Sequence, residues 1–234
     1  MYKIIDNIMV NFIDYDEGKP VVFLHDWGQN LESMDTIGRQ LENNRKILLD
    51  LPGFGDSEEP NRLYNLNDYA DALRTLLLDL DIDNPILVGH SFGGKVAIKY
   101  ASKYDVEKLV LFSTSFKSVD QSFKNRLIQM MKETYIGIRE KKDVTPIMRG
   151  TYHNVYEENL LEDAKKIVAP TLLVCEKNDK IAPVEMMESL QSQMKNASLI
   201  ELTKAYNNYL EEGSNIALIL QKYFAGHKVK KRIK

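Results

Sequence analysis

One cysteine and one tryptophan occur in 234 residues, and no apolar run extends beyond a few positions. The lone Cys175 excludes an intrachain disulfide, and its place in the apolar run Thr171–Cys175 predicts a buried thiol that behaves as a small hydrophobe. Runs such as Leu109–Phe112 fall far short of the roughly 20 apolar residues that a membrane-spanning helix needs. The opening Met1-Tyr2-Lys3-Ile4-Ile5-Asp6 meets an acid before any apolar stretch develops, so no secretory leader is expected and the cytoplasm is the predicted compartment. A surplus of charge is missing as well. The 31 Lys and Arg face 34 Asp and Glu for a net charge of −3, which offers no global field for nucleic acid. The local exception is the tail 227–234, where four Lys and one Arg accumulate. It reads as a solvated terminus, with an acidic lipid or polyanion as the alternative contact.

What is present is an alternation of short apolar runs and longer amphipathic ones. Val21–Leu24, Ile47–Leu49, Ile86–Val88, Lys108–Phe112, Thr171–Cys175 and Ser198–Leu202 suit strands buried on both faces. Helical spacing marks Asn67–Leu80, with Asn65 or Asn67 available as cap, and marks Gly93–Lys103, Val184–Met194 and Ile216–Phe224. Strand and helix in alternation predict an α/β fold with a mostly parallel central sheet and helices on both faces. The more polar Ile4–Tyr15 suits an antiparallel hairpin on the sheet edge. The alternation breaks at residues 115–163, where Phe123, Leu127, Met130, Met131, Tyr135 and Ile138 share one helical face. A helical lid inserted into the core, or a core-packed helix pair, accounts for that stretch. The expected division is a core of 1–114 and 164–226, a cap of 115–163 and a basic tail of 227–234.

The sharpest chemical signal is Gly89-His90-Ser91-Phe92-Gly93-Gly94, which follows one predicted strand and opens a predicted helix. Gly-x-Ser-x-Gly in that context is a nucleophile elbow, whose flanking glycines admit the close backbone approach of a strained turn. With it, His25-Asp26-Trp27-Gly28 and Leu51-Pro52-Gly53-Phe54-Gly55-Asp56-Ser57 follow two earlier strands. On these three ordered motifs nearly the whole chain resembles the α/β-hydrolase family. The resemblance implies Ser91 as nucleophile and an oxyanion hole made by the backbone N–H groups of Trp27 and Phe92. It also sets the chain apart from the dehalogenase and epoxide-hydrolase branches, which carry Asp at the nucleophile. His25 and His90 lie inside the motifs and read as scaffold. Asp26 stands where the family usually has Gly, so its carboxylate either points to solvent or opposes an oxyanion. Asp179, in Asp-x-x-x-Pro after Thr171–Cys175, matches the family's acid; an Asx turn or helix cap is the plainer reading.

The family order Ser…Asp…His requires a histidine beyond Ser198–Leu202, and none is there. Counting back five residues from Glu211 places Tyr206 at that position, and counting from Glu212 places Asn207 there. Neither a phenol nor an amide accepts a serine proton well at neutral pH. Three substitutes are conceivable: His153 from the insertion, His227 from the tail, or Tyr206 itself. The expected function is therefore that of a serine hydrolase acting on a small carboxylic ester or related acyl substrate, impaired by loss of the triad His. The alternative is a catalytically silent, hydrolase-like protein that binds a ligand or partner. No metal, organic cofactor or nucleic acid is expected to take part.

Overall fold

The computed structural model describes residues 1–117, 144–177, 179, 182–202, 213–227 and 232–233. The apolar runs become strands, numbered in chain order β1 (Tyr2–Ile5), β2 (Ile8–Tyr15), β3 (Lys19–Leu24), β4 (Asn44–Leu49), β5 (Ile86–His90), β6 (Lys108–Phe112), β7 (Thr171–Glu176), β8 (Ala197–Leu202) and β9 (Arg232–Ile233). Among the described residues they form one sheet in the order β1-β2-β4-β3-β5-β6-β7-β8-β9. The pairs β1–β2 and β2–β4 are antiparallel, as expected of the polar first segment, and all later pairs are parallel.

Helices cover both faces: α1 (Glu32–Gly38), α2 (Leu66–Asp79), α3 (Phe92–Ala101), α4 (Pro146–Glu157), α5 (Leu161–Lys166), α6 (Val184–Gln193) and α7 (Gly213–Phe224). Alternate residues of the same strand serve the two faces. Val22, Leu24, Ile47, Leu49 and Leu87 pack with α2 and α3, whereas Val21, Phe23, Leu48, Ile86 and Val88 pack with Met34 and Ile37 of α1 and Ile216 and Leu220 of α7. Strands buried on both sides explain why they read as unbroken apolar runs. Asn65 caps α2 in a full capping box with Asp68, which fixes the start of the helix. The short α1 was not expected from sequence; it has no side-chain cap and only seven residues, too few for a periodic signal.

Strand order places the site. β3 lies between β4 and β5, so the connection through α1 leaves on one face and the connection through α2 returns on the other. The chain thus reverses its winding between β3 and β5, where Leu24 is paired with Gly89. In open parallel sheets the crevice beyond such a reversal, at the carboxyl ends of the strands, is where ligands bind. The loop after β3 carries Asp26 and Trp27, and β5 runs directly into Ser91. Of residues 115–163, where a lid was expected, the described part holds α4 and α5. The stretch from Phe123 to Ile138 lies outside the described residues.

Candidate functional site

Ser91 is the single residue between β5 and α3, and it is held at φ 49°, ψ −104°. A non-glycine residue there is strained by about 1–3 kcal/mol, a cost carried by its surroundings. The Ser91 N–H donates to Phe112 O at 2.9 Å, and Lys95 N–H donates to Ser91 O at 3.1 Å, so the turn is tied to β6 and to its own helix. The glycines act as the motif predicts. A Cβ on Gly93 would lie 2.2 Å from Leu24 O, and one on Gly89 would lie 2.6 Å from Gly93 O. Close passage of α3 over β3 therefore depends on Gly93, and over β5 on Gly89.

The two backbone amides expected to form the oxyanion hole converge on one point, and the point is occupied. Trp27 N–H donates to Asp26 Oδ1 at 2.7 Å, and Phe92 N–H donates to the same oxygen at 3.1 Å. The Asp26 carboxylate is half-buried and turns its Oδ1 to these two amides rather than away from them. His25 holds this loop from beneath. Its Nε2 accepts the Leu51 N–H at 3.0 Å, which leaves the ring proton on Nδ1 to donate to Asp26 O at 2.7 Å. Full burial holds the imidazole below its ordinary pKa, so it stays neutral and serves as a brace. Asp50 braces the next loop: its carboxylate accepts the Leu31 N–H at 2.7 Å, and the Asp56 N–H and Asn11 Nδ2 at 2.8 Å each.

An aromatic wall lines the crevice. The Trp27 ring meets Phe54 at 4.8 Å, Phe92 at 5.1 Å and Tyr152 at 5.2 Å, all edge to face. Tyr152 and Tyr156 sit one turn apart on α4 and stack at 4.4 Å. The Tyr156 side chain lies against that of Ser91, a contact that sequence reasoning missed because it joins residues 65 positions apart. Burial first, and the Asp26 charge second, push the Tyr156 phenol well above its ordinary pKa, so at neutral pH it keeps its proton. The Tyr152 hydroxyl is buried with no hydrogen-bond partner.

Lys95 was also missed. It lies one turn after Ser91 and is only 1% exposed, with Nζ directed at Val155 O (3.4 Å), Glu158 O (3.5 Å) and the face of the Tyr156 ring (5.5 Å). The cation thereby satisfies carbonyls at the C-terminus of α4 and fixes Tyr156 over the nucleophile helix. Burial lowers its pKa to about 8.

Asp179 follows β7, two strands along from β5, and is half-buried. Its Oδ1 accepts the Ala182 N–H at 2.9 Å, the local turn that sequence weighed beside a catalytic role. Glu176, at the end of β7, is pushed up to about 7 by burial and by the Asp179 charge. Tyr206 and Asn207 lie outside the described residues. Two of the three substitute bases can be placed. His153 is on the outer side of α4, 66% exposed and 3.4 Å from Glu157 Oε2, while its neighbours Tyr152 and Tyr156 face the site. His227 is exposed beyond α7, whose Phe224 O accepts Lys108 Nζ at 2.6 Å. Lys108 begins β6, whereas Ser91 is tied to Phe112 at the other end of that strand, so His227 lies towards the amino-terminal ends of the strands, away from Ser91. Among the described residues no group of three His, Cys, Asp or Glu side chains could hold a metal, and no helix is long and apolar enough to cross a membrane.

Comparison with known proteins agrees with this architecture. The family model of the alpha/beta hydrolase fold matches residues 19–142. An AB hydrolase superfamily protein of Bacillus subtilis, YisY, is 26% identical over 90% of this chain and 93% of its own length. An esterase from Exiguobacterium antarcticum superposes with a TM-score of 0.79 at 21% identity, covering 96% of this chain and 98% of that one. A thermophilic esterase from Thermogutta terrifontis does so with a TM-score of 0.78 at 17% identity, covering 97% and 98%. At these identities the structural likeness speaks for the fold alone.

Proposed function

Because the chain belongs to the α/β-hydrolase fold family, we propose that it is a serine hydrolase that cleaves a small carboxylic ester or related acyl substrate through Ser91. The observation that carries this reading is the backbone of Ser91, strained at φ 49° between β5 and α3 and facing two backbone amides that converge on one acceptor position. Ser91 Oγ attacks the acyl carbon and gives its proton to Tyr206 in its phenolate form, which stands in the sequence where the family has its histidine and returns that proton to the leaving alkoxide. The negative charge on the former carbonyl oxygen develops between the Trp27 and Phe92 amides. Collapse expels the alcohol, and water then releases the acid from the acyl-serine. Asp179 is assigned as the acid member and residues 115–163 as the cap. The buried rings of Trp27, Tyr152 and Tyr156 favour an apolar acyl or alkyl group.

A phenol of ordinary basicity leaves this machinery slow, because loss of one triad member typically leaves about 10³–10⁴ over the uncatalysed rate. The same deficit supports a second reading, a hydrolase-like protein that binds acyl ligands without turning them over. Hydrolysis of p-nitrophenyl acetate and butyrate by the parent, Ser91→Ala and Tyr206→His decides between them, with fluorophosphonate labelling of Ser91 alongside. Turnover that vanishes in Ser91→Ala supports the hydrolase. A silent, unlabelled parent that Tyr206→His activates supports the binding protein.

A further inference from the structure

The acceptor between the Trp27 and Phe92 amides is a carboxylate supplied by the chain. Asp26 Oδ1 lies 2.7 Å from one nitrogen and 3.1 Å from the other, within the 2.7–3.1 Å at which such donors meet a reacting oxyanion. The Phe92 amide is the first of α3, so the positive end of a ten-residue helix adds to the attraction. Asp26 is itself half-buried, between neighbours that are nearly closed to water: Trp27 is 6%, Ser91 7% and Phe92 0% exposed. Tyr152 and Tyr156 pack edge to face against Trp27, and burial first and the Asp26 charge second raise the pKa of both phenols. A carboxylate oxygen there has the position and charge that a tetrahedral intermediate would bring.

We propose that the Asp26 carboxylate is the resident occupant of the oxyanion hole and holds the site closed until an acyl oxygen displaces it. This rests on the assignment of Trp27 and Phe92 as the hole. Two N–H groups cannot serve Asp26 and a substrate oxygen at once, so every productive encounter begins by breaking two charge-assisted hydrogen bonds. The resting site therefore admits neutral acyl groups that can compete for the amides, and it turns away ligands that bring a second carboxylate to the same point.

The test compares the parent with Asp26→Gly, Asp26→Asn and Ser91→Ala, using p-nitrophenyl acetate turnover and the backbone amide NMR shifts of Trp27 and Phe92 during a sodium acetate titration. Asp26→Gly is expected to move both amide shifts. Acetate should then enter the emptied hole and move them back towards the parent values, while leaving the parent unchanged. Loss of a single hole donor costs about 10²–10³ in kcat, so releasing both should raise Ser91-dependent kcat/KM at least about tenfold in Asp26→Gly, and less in Asp26→Asn, whose amide oxygen still accepts. Acetate shifts that are equal in parent and Asp26→Gly, or amide shifts indifferent to Asp26, overturn the proposal. If no variant cleaves the ester, the hydrolase reading falls, while the amide shifts still decide the occupancy.

Discussion

The backbone N–H of Leu51 donates to Nε2 of His25 at 3.0 Å, a buried bond between the loops that follow β3 and β4. Its consequence is a histidine that cannot act as proton carrier without abandoning its neighbour. In His25→Ala the orphaned amide alone should cost about 1–3 kcal/mol, read as a lower urea midpoint at pH 7. The acid limb should change too. Because burial depresses the folded-state pKa, the unfolded chain takes up the proton first as pH falls below about 6.5. Parent stability is therefore lost with falling pH in that range, and His25→Ala should lack this component.

Ser91 provides a test of stored strain. Glycine reaches φ 49°, ψ −104° without the Cβ penalty, and alanine does not. Both Ser91→Gly and Ser91→Ala lose the hydroxyl and its Tyr156 contact, so the difference between them isolates the backbone. Ser91→Gly should be the more stable by about 1 kcal/mol in thermal or urea unfolding. Equal stability would mean that the turn relaxes once the hydroxyl is gone.

Lys95 predicts a slope at alkaline pH. Its folded pKa is lowered to about 8 by burial, against 10.5 for the ordinary side chain. Between these values the unfolded chain holds a proton that the native chain has released, so native stability gains as pH rises through that window. Lys95→Met keeps the apolar stem and removes the titration. Plotted against pH from 8 to 10.5, the stability difference between parent and Lys95→Met should climb in the parent's favour, and tyrosine ionisation common to both should cancel. A flat difference would show that Lys95 is solvated.

The contrast between what was legible and what was not follows from range. Lys108–Phe112 was placed to the residue, and the other predicted core strands lie within β3 to β8, because strands buried on both faces are continuous apolar runs. The Ser91 turn and two candidate caps for α2, Asn65 and Asn67, were legible because each is a local pattern within six residues, and the structure selects Asn65. The orientation of Asp26, the Tyr156 contact with Ser91 and the burial of Lys95 join elements about 60 or more positions apart. The first depends on the pairing of β3 with β5 and the other two on where α4 lands on the sheet, and no local pattern records either. The base after β8 remains a sequence assignment to Tyr206, outside the described residues.

Glu176 gives the prediction nearest the assigned acid. Burial and the Asp179 charge raise its pKa from 4.5 to about 7, so two carboxylates at the end of β7 resist ionising together. Between those values the native chain holds a proton that the unfolded chain has released. Native stability therefore falls as pH rises through the window, and the penalty is complete above about 7. Glu176→Gln, which cannot ionise, should match the parent near pH 4 and exceed it at pH 8 in urea unfolding. Asp179→Asn should lower the Glu176 titration midpoint followed by carboxyl carbon NMR, because it removes the neighbouring charge. A midpoint that stays in place would assign the whole shift to burial and separate Glu176 from Asp179.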